Sequence, residues 1–107
     1  MKKLIRILEI GNPNFQEKTI SITKAKSLLQ NTQLPFVGYA GTVNKILDNC
    51  SHYITSMYIV DNYLMAEIET TNNAYGSRLS EVLGKALPIG LSVKYDVNIT
   101  QVDFDIL

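Results

Sequence analysis

The chain predicts a small α+β domain: a mostly antiparallel sheet, curled or closed into a barrel, of about six to seven strands with two helices. Three observations predict it. Most apolar residues fall in short runs that alternate with polar ones or are rich in isoleucine, valine, threonine and tyrosine, as strands are. Two stretches instead place apolar residues three and four apart, the spacing of a helix face. Glycine, proline and asparagine punctuate the chain at short intervals, so the connections are tight. With 107 residues, 46% hydrophobic and 19% charged, this is one domain over 1–107, with the composition of an ordinary globular protein rather than a disordered one.

Lys3 to Ile10 is the first strand, and Gly11-Asn12-Pro13-Asn14 is a turn cluster, because glycine and asparagine tolerate left-handed dihedrals and proline fixes its own φ. Lys18 to Ile22 is a short second strand paired with the first. Thr23 caps a helix over Lys24 to Gln30 with Ala25, Leu28 and Leu29 on its apolar side. Pro35 stops any continuation, so Phe36 to Tyr39 is extended. Gly38 and Gly41 mark a bend or a close approach of backbone. Val43, Ile46 and Leu47 have helical spacing in a run that is short for a helix.

His52 to Val60 and Tyr63 to Thr70 are strands joined at Asp61-Asn62, a hairpin turn. In the second, Leu64, Ala66 and Ile68 face one way while Glu67 and Glu69 face the other. Asn72-Asn73 starts a helix to about Leu87, with Leu79, Val82, Leu83, Ala86 and Leu87 on one face and Glu81–Lys85 as an i, i+4 pair. Leu91 to Val97 is a strand with Leu91, Val93 and Tyr95 on one side and Ser92, Lys94 and Asp96 on the other. Gln101 to Leu107 closes the fold with Val102, Phe104 and Ile106 inward and Asp103 and Asp105 opposite.

Ten basic and ten acidic residues give zero net charge, which argues against a broad nucleic-acid or anionic-membrane footprint. No apolar run approaches membrane-spanning length. The single cysteine, Cys50, cannot pair within the chain, and a cytoplasmic protein is expected; the sequons at Asn49 and Asn98 are then chance matches. No phosphate-binding glycine loop is present. With one histidine and one cysteine, no metal or other cofactor is expected. The residues alone support no more than an α+β domain with one histidine, His52, and a serine, Ser92, in a Gly90-Leu91-Ser92 strand start.

The order of several segments goes further: Ser51-His52-Tyr53-Ile54, Leu64-Met65-Ala66-Glu67-Ile68, Ala74-Tyr75-Gly76, Leu79 to Leu87, Pro88-Ile89-Gly90-Leu91-Ser92 and Phe104-Asp105-Ile106-Leu107. This colinear set, over about the last three fifths of the chain, resembles the prohead (head maturation) proteases of tailed bacteriophages, of the prohead core protease type. The resemblance implies a fold shared with herpesvirus assembly proteases. It also implies a serine endopeptidase that cleaves scaffold and capsid proteins inside immature phage heads, in the cytoplasm of an infected bacterium or expressed from a prophage. By the same resemblance Ser92 matches the nucleophile and His52 its general base, with Asp105, or alternatively Asp103, orienting the imidazole. Lys94 and the backbone at Val93 would help hold the oxyanion. Partners would be capsid and scaffold proteins as substrates, with self-association open, and neither nucleic acid nor membrane. Where the family has a small residue and then arginine-glycine, this chain has Val93-Lys94-Tyr95. The alternative is therefore a catalytically inactive capsid-assembly or scaffold protein with the same fold.

Overall fold

The structure, a computed structural model, describes residues 1–11 and 19–106. Strands β1 (Lys2–Ile10), β2 (Thr19–Ile20), β3 (Phe36–Gly38), β4 (His52–Val60) and β5 (Tyr63–Thr70) form one sheet in the order β2-β1-β5-β4-β3. Strands β6 (Ile89–Tyr95) and β7 (Ile99–Ile106) form a two-stranded ribbon. Among the described residues, the pairings between these strands are antiparallel except β1 with β2. With helices α1 (Ile22–Asn31) and α2 (Ala74–Gly84), the domain is α+β: a curled, half-barrel sheet with a smaller second sheet.

The β4–β5 hairpin follows from its turn. Asp61 takes a φ of 54°, the left-handed conformation a two-residue hairpin turn needs, and Val60 pairs directly with Tyr63. Leu64, Ala66 and Ile68 are completely buried, so the period-two pattern reports the core face. One irregularity between Ile54 and Ser56 and another between Arg6 and Leu8 add a residue to β4 and to β1, the two strands that flank β5. They keep the faces in register as the sheet curls. The turn predicted at Asn12 to Asn14, and the start of the second strand at Lys18, lie outside the described residues. Thr19 and Ile20 do pair with the first strand.

Helix α1 starts earlier than Thr23. Ser21 is its cap, with extended backbone and a hydroxyl that accepts from the Lys24 amide at 3.0 Å; this brings Ile22 and Thr23 into the helix. Helix α2 starts as expected, Asn73 accepting from the Gly76 amide at 2.8 Å, but ends at Gly84 rather than Leu87. The amides of Leu87 and Ala86 turn back to the carbonyls of Val82 and Leu83, and Ala86 has a φ of 52°. This is a Schellman closure, and it takes Ala86 and Leu87 off the apolar face and into solvent. Gly76 sits in the first turn, where an added Cβ would lie 1.9 Å from the Thr71 carbonyl oxygen. The usual preference for alanine in a helix is therefore overridden there. The spacing of Val43, Ile46 and Leu47 produces only a 3-10 turn over Leu47–Asn49. Leu47 is 68% exposed, so no neighbour receives that face.

The two sheets are joined along β7. Ala40 forms a parallel bridge to Phe104, with the Gly41 amide donating to the Phe104 carbonyl and the Phe104 amide to the Tyr39 carbonyl, each at 2.9 Å. The core between them holds Ile54, Leu64 and Ile68 from the sheet, Leu28 and Leu79 from the helices, and Val102 and Phe104 from the ribbon. Among the described residues no helix is long and apolar enough to cross a membrane.

Candidate functional site

His52 opens β4, two residues before Ile54 on the same side of the strand, and that parity turns it into the core. It is completely buried. Its Nε2 lies 2.8 Å from the Val102 carbonyl oxygen and its Nδ1 2.7 Å from the Ser51 hydroxyl. A carbonyl can only accept, so Nε2 carries the proton and donates. Nδ1 is then the lone-pair nitrogen, to which the buried Ser51 hydroxyl donates. The ring meets Phe104 edge-on, with centroids 5.0 Å apart. Burial lowers the histidine pKa below its usual value, outweighing the Val102 carbonyl and the Asp103 charge, which act to raise it. His52 is therefore a neutral imidazole that ties the five-stranded sheet to the ribbon.

Ser92 stands on the other side of that ribbon. Directly opposed residues of an antiparallel pair share a face, and Ser92 opposes Asp103 while Leu91 opposes Phe104. Phe104, the residue His52 touches, points into the core, so Ser92 and Asp103 point away from it. The Ser92 hydroxyl donates to the Asp105 carboxylate, at 3.1 Å from Oδ2 and 3.3 Å from Oδ1. Ser92 thus comes together with Asp105, and His52 with Ser51 and the Val102 carbonyl. The predicted arrangement, in which His52 takes the Ser92 proton and Asp105 or Asp103 orients His52, is not formed. Neither carboxylate is bonded to the imidazole: both its nitrogens are engaged elsewhere.

Asp103 has a different task. It is 6% exposed; its Oδ1 accepts from the Tyr39 amide at 3.0 Å and its Oδ2 from Lys45 Nζ at 2.9 Å. It clamps the Tyr39–Lys45 segment onto β7. Lys94 is exposed, with its carbonyl accepting from the Thr100 hydroxyl at 3.3 Å, and Val93 is paired with Val102 in the ladder. Among the described residues, no group of three or more histidine, cysteine or carboxylate side chains is placed to hold a metal.

This clamp gives a graded expectation. Asp103→Ala leaves the Tyr39 amide without its acceptor and should cost about 1–3 kcal/mol. Lys45→Met removes only a half-exposed partner and should cost less than about 1 kcal/mol. Urea melts of the two variants rank them, and a larger loss at Lys45 would refute the clamp.

Sequence reasoning picked out His52 but missed what surrounds it. The Val102 carbonyl, Tyr39 and Lys45 carry no local signal, since each acts across 50 or more residues, and Ser51, although adjacent to His52, is one serine among several until the fold buries the pair. Gly38 did carry one: an added Cβ there would sit 2.0 Å from His52 Nε2 and 2.5 Å from the Val102 oxygen, the close approach that its sequence context predicts. Comparison with protein-family models, curated proteins and solved structures finds no match to this chain.

Proposed function

We propose that this chain is a non-catalytic assembly domain, a binding component of phage head construction related in type to the prohead proteases and acting without serine–histidine chemistry. One observation carries this reading over the endopeptidase. Both ring nitrogens of His52 are engaged inside the core, on the far side of the ribbon from Ser92. A serine hydroxyl without a base within reach is a poor nucleophile. The Ser92–Asp105 bond gives no substitute, since a carboxylate with no imidazole between is far too weak a base at neutral pH. The colinear motifs support the assembly context; scaffold and capsid proteins are the partners it implies, met in the cytoplasm of the infected bacterium.

The test is to challenge the protein with a fluorophosphonate probe and, separately, with a tailed phage's scaffold and capsid proteins. We expect no Ser92-dependent labelling, no cleavage, and stoichiometric binding that survives Ser92→Ala. That substitution should also change stability by no more than about 0.5 kcal/mol, as at other surface positions. Labelling or cleavage that vanishes in Ser92→Ala would overturn the proposal in favour of a serine endopeptidase. Absence of both cleavage and binding would overturn the assembly role.

A further inference from the structure

Among the described residues, the curled sheet buries one face and leaves the other uncovered. The pairing of β4, β5 and β1 places Tyr53, Glu69 and Lys2 in one row, Ser56, Glu67 and Leu4 in the next, and Tyr58, Met65 and Arg6 in the third. Both helices put their buried residues, Ala25 and Leu28 in α1 and Leu79 and Leu83 in α2, into the core on the opposite side. Leu4, Tyr53, Tyr58 and Val60, all from the bare face, are among the large apolar side chains the fold leaves exposed. Tyrosine, methionine and arginine beside leucine is a composition that interfaces favour.

Over these three rows the charges on this face are sorted by strand, with Glu9 of β1 standing one row further on, beside Tyr63 and Val60. Glu67 and Glu69 form an acidic column on β5, and Lys2 and Arg6 a basic column on adjacent β1. Among the described residues the ion pairs are Lys45–Asp103 and Lys85–Glu81, so none of these four charges is in one; Arg6 lies over the Tyr63 ring at 4.3 Å. A two-fold axis parallel to the strands, running between β5 and β1, sets each column against the opposite column of a second copy. Lys2 then faces Glu69 of the other copy, Arg6 comes within a row of Glu67, and Leu4, Met65 and Tyr63 gather about the axis. Because the operation is two-fold, every such contact is made twice.

We infer that the outer face of β1 and β5 is a homodimer interface, self-complementary through its acidic and basic columns. This is independent of the assembly reading and of any chemistry at Ser92. Like-signed columns repel and opposite ones attract, so the face carries its own test.

Sedimentation velocity on the intact chain should show a dimer at tens of micromolar that weakens as salt is raised. Glu67→Lys with Glu69→Lys should lower the association constant at least tenfold, and Lys2→Glu with Arg6→Glu should do the same. Mixing the two variants in equal amounts should restore a dimer containing one of each. Lys26→Glu with Lys94→Glu makes the same change in net charge as Lys2→Glu with Arg6→Glu, but away from the face, and should leave the wild-type association intact. Circular dichroism of each variant separates loss of association from loss of fold; should a charge variant not fold, Leu4→Asp tests the same face through its centre. A wild-type protein that stays monomeric to millimolar concentration, or charge variants that fail to recover on mixing, would overturn the inference.

Discussion

Gly38→Ala should be, with Gly76→Ala, among the most damaging single-methyl changes at the described residues, costing about 3 kcal/mol or more, a large part of a small domain's total stability. The new Cβ would lie 2.0 Å from His52 Nε2, 2.5 Å from His52 Cε1 and 2.5 Å from the Val102 oxygen. None of these atoms can yield cheaply. The ring is held at both nitrogens, and the carbonyl belongs to a strand backbone. Removing the ring makes room, so Gly38→Ala combined with His52→Ala should cost less than the sum of the two single changes. Chemical denaturation of all four members of that cycle measures the coupling; simple additivity would show that the glycine is not there for the histidine.

His52 itself should govern stability in both its size and its titration. His52→Ala opens a cavity and strands the Ser51 hydroxyl and the Val102 carbonyl, a combined loss of about 3–5 kcal/mol. The pH dependence follows from the direction of its shift. Burial lowers the pKa in the folded state below the unfolded 6.5, so between those two values the unfolded chain binds more protons than the folded one. Stability is then full above about pH 6.5 and falls as the pH drops toward the folded-state value, with a slope that one proton limits to about 1.4 kcal/mol per pH unit. Urea midpoints at pH 7.5 and 5.5 should show the decline in the wild type. A His52→Gln variant, whatever its absolute stability, should lose that part of the slope; an unchanged slope would mean other groups control acid sensitivity.

Much of this architecture was legible because strand parity and turn chemistry are local. Leu64, Ala66 and Ile68 announced the core face of β5, Asp61-Asn62 its hairpin, and Asn73 the start of α2. The end of α2 was misread because a Schellman turn with alanine in the left-handed position has no glycine to advertise it. The separation of His52 from Ser92 was also written in the parities. His52 keeps step with buried Ile54, whereas Ser92 is out of step with Leu91 and Val93. A resemblance in motif order says which residues to inspect. It does not say whether two strands turn those residues toward one another. The clamp at Asp103 was invisible for a different reason: its partners are a main-chain amide and a lysine from a loop with no pattern of its own.

The joint between the sheet and the ribbon also sets an order of events. Each hairpin can close on its own, since its strands are joined by short turns. The bonds that dock one on the other instead span 50 residues for His52 with Val102 and 64 for Tyr39 with Asp103. Contacts so distant along the chain form only after the loop-closure entropy has been met, and so they form late. Strengthening this joint therefore acts mainly on how slowly the native protein comes apart, and very little on how fast it assembles. By this measure the ribbon, like β1 with its equally distant pairs to β5, docks late and should be released early, while the β4–β5 hairpin should be the part that stays.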